Sequence, residues 1–401
     1  MPGAQDLLVL VVAAAAGALL LYPPLARART WRATITPLAS IIGSGFLVLG
    51  PILDASYGMY APVVMAALCV VAWAFGSAIR FNIAVIERDG GDRPAVEERL
   101  DAAASWTLAV AYFISVAYYL NLFGAFSVSL TPFDDRLHAK LVTSLVLLVI
   151  LAVGWARGFK ALERMEQVSV GIKLAVIAGL LAGLGRYFFA KAGSGDLVLH
   201  PPALTAWASV TLAFGLIVTV QGFETSRYLG ASYSAATRIR SMLWAQALSA
   251  LIYMTYIGFL AFALPAGPQP PNETAIISMM EIVAPVLPVL LVAAALSAQF
   301  SAAVADTSGS GGLIAELTKG MVPARMAYAL LVAVGLVLTW TLDVFQIIGF
   351  ASRAFALYYA LQSTIAAAAA WRSRSERWRA PGYLALAVLG VVIAVFGTAF
   401  E

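Results

Sequence analysis

The chain has 401 residues, of which 62% are hydrophobic and 11% are charged, and its mean hydropathy is +0.89. Soluble domains carry about a quarter charged residues, so this composition excludes a soluble globular protein and indicates a chain solvated by lipid. The formal net charge is +4. One cysteine excludes an internal disulfide framework, and two histidines argue against a His-ligated metal centre.

Twelve apolar segments follow one another along the chain, each near the roughly 20 residues that an α-helix needs to cross a bilayer. They comprise residues 6–24, 33–53, 59–81, 104–130, 139–156, 168–189, 203–226, 241–264, 280–306, 325–342, 345–370 and 382–399. Backbone groups cannot stay unpaired in lipid, so these runs predict helices rather than open strands. The sequence therefore predicts an all-α polytopic membrane protein with about 12 transmembrane helices.

The basic residues are distributed unevenly among the connecting segments. With the amino terminus outside, twenty of the 25 Lys and Arg lie on the cytoplasmic side, four lie outside and one lies within a helix. Because cytoplasmic loops carry the excess of Lys and Arg, both termini are predicted outside. Residues 1–6 contain no basic residue, so the first segment is interpreted as a retained helix rather than a signal peptide. We expect a multi-pass protein of a cell membrane, specifically a bacterial inner membrane.

Two of the predicted helices are interrupted by glycine. The second contains Gly43, Ser44 and Gly45 near its centre, and the seventh contains Gly222 in its second half. Five spans separate their starts, and an odd number of spans per repeat turns the second repeat upside down relative to the first. This spacing predicts a five-plus-five inverted repeat with two broken helices facing each other at a transport site.

A broken helix exposes backbone groups that can bind a solute. The N–H groups at the start of a half-helix suit an anionic group, and freed carbonyl groups suit an ammonium group or a metal cation. Such a site would hold a zwitterion by its two charged ends. The alternative interpretation is that the glycines only allow close helix packing, as small residues do in membranes.

Several motifs resemble those of the amino acid–polyamine–organocation (APC) permeases. Ile42-Gly-Ser-Gly-Phe46 and Gln221-Gly-Phe-Glu-Thr-Ser226 are similar to the two broken-helix motifs of that family. Residues 158–174 resemble its fourth-to-fifth helix connection, and residues 301–323 resemble its eighth helix and following loop. The resemblance covers most of residues 31–370 and implies the fold of the leucine transporters. The chain departs from the family in having one span before the first broken helix and no tryptophan at the centre of the seventh.

The resemblance also implies roles for individual residues. Gly43, Ser44 and Gly45 would bind a substrate carboxylate, and the backbone around Gly222 would receive an amino group. The predicted substrate site comprises Ile42, Gly43, Ser44, Gly45, Val220, Gln221, Gly222 and Phe223, with Tyr119 from the fourth span. Glu224 matches an acidic position that is proton-linked in some members. Lys173 matches a lysine that replaces a sodium ion in proton-coupled members.

Ionisable residues within a bilayer are costly and are functional candidates by default. Lys173 and Asp306 lie at similar predicted depth, and we expect them to form an ion pair, although Lys173 could instead snorkel to the headgroups. Ser301 presents a hydroxyl on the same helix as Asp306, facing either a cation or its own helix carbonyls. Arg353 is predicted about 15 Å from the surface, as a buried charge paired with Glu224 or with nearby polar groups.

The predicted organisation has four parts. An extra N-terminal helix occupies residues 1–30, the first repeat 31–190, the second repeat 203–370, and a basic cytoplasmic loop with the last helix 371–401. The basic run in 371–379 is interpreted as an anchor at the headgroup level rather than a nucleic-acid-binding segment.

These features predict a secondary active transporter, not an enzyme. The expected substrate is a small organic solute, an amino acid or related amine, carried with a proton or with sodium. The alternative is an inorganic-cation permease or channel on the same fold, although residues 34–53 contain no carboxylate. The sequence shows no Walker-type phosphate-binding motif. No cofactor, metal or nucleic acid is expected as a partner. The sequence does not specify the oligomeric state or distinguish uptake from exchange.

Overall fold

A computed structural model describes residues 3–43, 45–90, 93–156, 160–230, 232–267 and 270–400, with the side chains of 160–168 left aside. These residues form helices without a β-strand. The α-helices are α1 (Ala4–Leu21), α2 (Pro23–Ala26), α3 (Arg29–Ile41), α4 (Gly45–Tyr57), α5 (Ala61–Arg88), α6 (Ala95–Val128), α7 (Arg136–Ala156), α8 (Lys160–Ser194), α9 (Ala206–Gly215), α10 (Ala235–Ala263), α11 (Ala275–Val283), α12 (Leu287–Leu317), α13 (Ala324–Thr341), α14 (Val344–Arg372) and α15 (Ala380–Phe396). Short 3-10 helices cover Gly58–Tyr60, Ile217–Val220, Phe223–Tyr228 and Arg377–Arg379.

Ten helical segments of the described chain are long and apolar enough to cross a membrane, which confirms an all-helical membrane protein. One of them, residues 45–88, contains both α4 and α5, and the chain turns between them at Gly58, whose φ is +50°. The predicted spans 33–53 and 203–226 are divided into shorter helical pieces. The count of twelve spans and the inverted repeat stay predictions.

The centre of the bundle is α6, which packs against α12 and α14. The two broken spans lie on one side of it, with α3 against α10 and α9 against α14 and α15. The predicted extra N-terminal helix, α1, lies along α8. A side chain at Gly179 would place its Cβ 2.8 Å from the carbonyl oxygen of Val9, so this contact requires glycine.

The connecting segments meet in two groups at opposite ends of the molecule. Segments 82–103, 227–240 and 371–381 meet through ion pairs, and we call this the arginine-rich end. Segments 54–60, 198–204 and 262–264 meet through backbone hydrogen bonds at the opposite end. The positive-inside pattern likewise places the segments of each group on one side of the membrane and the two groups on opposite sides. The orientation itself, with both termini outside, stays a prediction.

Candidate functional site

The first break lies between α3 and α4. α3 ends at Ile41, Ile42 leaves the helical region with φ −84° and ψ +47°, and the helix resumes at Gly45. Ser44 lies outside the described residues. A break of this kind frees carbonyl groups in the last turn of α3 and N–H groups in the first turn of α4. The glycines that flank Ser44 therefore interrupt the helix, as the sequence predicts.

The second break extends over a longer stretch. α9 ends at Gly215, two 3-10 helices follow, and between them Gly222 has a φ of +117° that side chains rarely tolerate. Ser352 of α14 supports the unwound backbone. Its hydroxyl accepts a hydrogen bond from the N–H of Val218 at 3.1 Å and donates one to the carbonyl of Gly215 at 2.6 Å.

The two breaks contact each other directly. A Cβ atom on Gly222 would lie 2.5 Å from the Ser40 Oγ, and one on Gly45 would lie 2.9 Å from the Cα of Thr219. The hydroxyl of Tyr253 on α10 lies 3.0 Å from the carbonyl oxygen of Ile41 and 2.6 Å from that of Thr219. Glycine is thus needed for close approach as well as for the breaks, and a transport site at this point stays a prediction.

A polar cluster adjoins the second break. The amide Nε2 of Gln221 donates a hydrogen bond to the hydroxyl of Tyr119 at 3.2 Å. The Gln221 Oε1 atom is buried and has no hydrogen-bond partner among the described residues. A buried acceptor without a partner is energetically costly. A hydrogen bond from a donor on a solute to this oxygen would therefore be favourable.

Glu224 is completely buried beside this cluster. Its Oε2 atom accepts hydrogen bonds from the backbone N–H of Gly222 and the hydroxyl of Tyr359, each at 2.9 Å. Its Oε1 atom has no partner among the residues that the structure describes. The ring of Tyr359 stacks between Phe75 and Phe223, with centroid distances of 5.1 and 5.2 Å, and this stacking fixes the hydroxyl that holds the carboxyl group.

Lys173 reaches the first break. Its Nζ atom donates a hydrogen bond of 2.7 Å to the carbonyl oxygen of Ala39, in the last turn of α3, and the side chain is only 5% exposed. It therefore does not snorkel to the headgroups. A cavity of about 10 Å³ lies beside it, lined also by Gly43 and Gln299. This volume holds no more than a single water molecule.

The ion pair predicted between Lys173 and Asp306 is not found between these two described side chains. Asp306 instead accepts a hydrogen bond from the hydroxyl of Ser115 on α6, while Lys173 is engaged by α3. Similar depth along two helices does not ensure that their side chains point toward each other. Ser301 lies half-buried on α12.

The prediction that Arg353 is a buried charge is wrong. The side chain is half-buried, and it donates hydrogen bonds to the carbonyl oxygens of Ala394 at 2.8 Å and Val395 at 3.0 Å. These carbonyls belong to the last turn of α15, where a cation interacts favourably with the helix dipole. Arg353 therefore caps a neighbouring helix and makes no ion pair with Glu224.

Ion pairs and a hydrogen bond lie between Glu224 and the arginine-rich end. Arg227 lies three residues after Glu224 and pairs with Asp101 of α6 at 2.5 Å. Arg93 also pairs with Asp101, at 3.1 Å. The amide of Gln362 accepts a hydrogen bond from Arg227 as well. The opposite end contains cavities of about 340 and 380 Å³.

Sequence reasoning missed several of these residues. Tyr253 and Ser352 bridge or brace the breaks, but each lies in an apolar helix where a single hydroxyl carries no distinctive pattern. The pairing of Asp101 with Arg227 joins residues 126 positions apart. Opposite charges flanking predicted spans on the same side would have been the available signal.

Comparisons with known proteins show a matching family model, a relative in sequence and a solved structure of similar fold. A family model described as an APC superfamily transporter matches residues 23–397. A protein of Aquifex aeolicus (strain VF5), described as uncharacterized, is 37% identical over 391 residues, covering 95% of this chain and 94% of that one. A crystal structure of a mutant manganese transporter from Eremococcus coleocola superposes with a TM-score of 0.56 and 11% identity, covering 92% of this chain and 86% of that chain.

Proposed function

The chain belongs to the APC superfamily of transporters, and we propose that it moves a small organic solute across the membrane by alternating access. The proposed solute is an amino acid or a related amine, and the proposed driving ion is the proton. The observation that carries this proposal is the direct contact between the two broken helices, whose interrupted ends leave backbone N–H and carbonyl groups without helical partners.

The chemistry around the breaks favours a zwitterion. α4 begins at Gly45, and the positive end of its dipole and its unbonded N–H groups suit a carboxylate. Gln221 and Glu224 each present a buried oxygen that lacks a partner among the described residues, and both oxygens suit an ammonium group. Ile42, Val220 and Phe223 supply an apolar surround. The proposed site is therefore negative on one side and positive on the other.

The position of Lys173 supports proton coupling over sodium coupling. Its ammonium group donates a hydrogen bond to the carbonyl oxygen of Ala39 at the break. The adjoining cavity of about 10 Å³ has room for one water molecule. A protonated lysine holds α3 against α8, and loss of the proton would weaken that contact. We propose Lys173 and Glu224 as the coupling groups, with Asp306 and Ser301 as further candidates on α12.

The inorganic-cation alternative has less support. The manganese transporter has a similar fold at 11% sequence identity, and similarity of fold alone does not identify a substrate. The described residues contain no group of three or more His, Cys, Asp or Glu that could hold a metal ion. In the first break, Ile42, Gly43 and Gly45 offer no side-chain oxygen.

Ligand-dependent thermal unfolding of the purified protein tests the proposal. We expect one class of amino acids or amines to raise the melting temperature, since a ligand at 100 times its Kd adds about 2.7 kcal/mol to the stability of the folded state. Gln221→Ala should remove the effect. Gln346→Ala, which truncates an exposed glutamine on α14, should keep it. Stabilisation by manganese or alkali ions alone would establish the inorganic-cation alternative.

Proton coupling needs a second measurement. Proteoliposomes given the identified solute on the outside should accumulate it when the outside is acidified, and Lys173→Ala should abolish that accumulation while solute binding persists. Accumulation that follows an imposed sodium gradient at constant pH would overturn the assignment of the proton.

A further inference from the structure

A groove apart from the transport site lies where α5, α10 and α15 come together at the arginine-rich end. It has a volume of about 740 Å³ and opens on the outer surface of the helix bundle. Its lining combines two arginines, Arg80 and Arg379, with aromatic and aliphatic side chains. A cationic groove on a surface that faces lipid needs an explanation that the transport site does not supply.

Arg80 is the deeper of the two cations. It lies eight residues before the end of α5, about 12 Å along the helix, and is only 9% exposed. Its guanidinium donates hydrogen bonds to the Gln246 side chain and to the carbonyl of Trp73 at 3.4 Å. Both partners are neutral, and none of the described carboxylates lies within ion-pair distance. The groove therefore contains a positive charge that the described protein does not neutralise.

Arg379 lies at the mouth of the groove. Its only carboxylate partner among the described residues is Glu376, three positions earlier and 3.0 Å away. Its guanidinium lies 5.0 Å from the ring centroid of Trp378 and 5.9 Å from that of Phe81. These rings orient Arg379 over the groove, and its guanidinium keeps hydrogen-bond donors beyond the Nε atom, which contacts Glu376.

The remaining walls are apolar. Ile239 and Leu243 of α10 form one side and Leu386 of α15 forms the other, and all three are half-buried. Trp378 is 74% exposed, as expected for a tryptophan at a membrane interface. A soluble anion would gain nothing from these aliphatic surfaces, whereas an acyl chain would pack along them.

We propose that this groove binds an anionic phospholipid. The phosphate contacts Arg80 and Arg379, and one acyl chain lies along Ile239, Leu243 and Leu386. Basic pockets between transmembrane helices on the cytoplasmic side are suited to such headgroups. Arginine recognises phosphate through paired hydrogen bonds, and the two guanidinium groups come from different helical elements. The lipid consequently joins α15 to α5 and α10. The proposal does not depend on the identity of the transported solute.

Thermal unfolding and native mass spectrometry of the delipidated protein provide the test. Phosphatidylglycerol should raise the melting temperature and remain bound, whereas phosphatidylcholine with the same acyl chains should do neither. Arg379→Gln should weaken phosphatidylglycerol binding about tenfold, as expected for loss of one charge-assisted contact. Arg80→Gln should weaken it by at least as much.

Matched controls separate the groove from general surface charge. Arg374→Gln removes an exposed arginine from the same basic loop and should leave lipid binding unchanged. Equal stabilisation by both lipids, or full retention of phosphatidylglycerol by Arg379→Gln, would overturn the proposal. An equal temperature shift with inorganic phosphate alone would also overturn it, because the site would then bind a soluble anion. Because Arg379 is exposed enough to be replaced without unfolding the chain, its variant keeps the test decisive if Arg80→Gln does not fold.

Discussion

The two ends of the molecule are closed by different chemistry. At the arginine-rich end, ion pairs are centred on the half-buried Asp101 and the exposed Arg372. At the opposite end, main-chain bonds such as that from the N–H of Met59 to the carbonyl of His200 hold the loops together. Cavities of about 340 and 380 Å³ lie among those loops. Ion pairs can exchange partners without unfolding, so a rearrangement of the arginine-rich end needs no loss of main-chain hydrogen bonds.

The largest effect is expected for Arg227→Gln. The side chain of this residue is 9% exposed next to the second break. Removing one partner of a buried pair costs about 3 kcal/mol, and the cost is lower here because the pair is only partly buried and Arg93 still pairs with Asp101. Hydrogen exchange measured by mass spectrometry should show faster exchange at the start of α6 and in residues 223–230. Arg374→Gln, an exposed arginine at the same end, serves as the control. Unchanged exchange in both segments would show that the pair does not hold this end closed.

Arg372→Gln should have an intermediate effect. Arg372 contacts Asp89 at 3.1 Å and Glu97 at 3.3 Å, but its side chain is 41% exposed. Solvent-exposed pairs contribute about 0.2–1 kcal/mol, so exchange at the start of α6 should rise by no more than about fivefold. High salt should reproduce this increase in the wild type and leave the opposite end unaffected. If salt accelerates exchange equally at both ends, their closure does not differ in the way we describe.

Acid should weaken the same contacts. The hydrogen bond from Arg88, together with the charge of Arg372, holds the pKa of Asp89 below its usual value of 3.8. A carboxyl group with a lowered pKa stabilises the fold above its ordinary pKa and loses that contribution as the pH falls through the lowered value. Melting temperatures followed from neutral pH to below 3.8 should therefore drop less in Asp89→Asn than in the wild type. Parallel curves for the two proteins would contradict this expectation.

The smallest effect is expected for Lys140→Ala at the opposite end. Its Nζ atom lies 3.5 Å from the carbonyl oxygen of Leu342, which is a marginal hydrogen bond. Surface substitutions of this kind stay within about 0.5 kcal/mol. The melting temperature and the exchange of α7 should match the wild type, and a clear loss of stability would show that side chains also secure this end.

The sequence predicts most of the helices because hydropathy and length determine which segments cross a bilayer. It also places both breaks, since glycine weakens a helix. Gly43 and Gly45 lie in one broken span and Gly222 lies in the other. The family resemblance identifies Lys173 and Glu224, and the structure places each beside a break. The helices and the breaks follow from local composition or from motifs, whereas the coupling roles of Lys173 and Glu224 stay predictions.

The failures concern contacts between distant elements. The predicted depth of Arg353 rests on its position along α14 alone. The carbonyl groups at the end of α15, which accept hydrogen bonds from the arginine, do not enter that prediction. Lys173 and Asp306 share a depth but face different helices. Tyr253 bridges the two breaks from α10, and its sequence neighbours give no sign of that position. All three contacts depend on tertiary packing, which local sequence patterns do not reveal.

Tyr253 also limits how tightly the broken helices are joined. A hydroxyl group carries one proton, so Tyr253 can satisfy either Ile41 or Thr219 fully at any instant, but not both. Separating the two helices therefore forfeits about one hydrogen bond, a net cost of roughly 1 kcal/mol. The close packing around Gly45 and Gly222 accounts for the rest of the contact between the two helices. Tyr253 therefore aligns the two breaks with each other more than it holds them together.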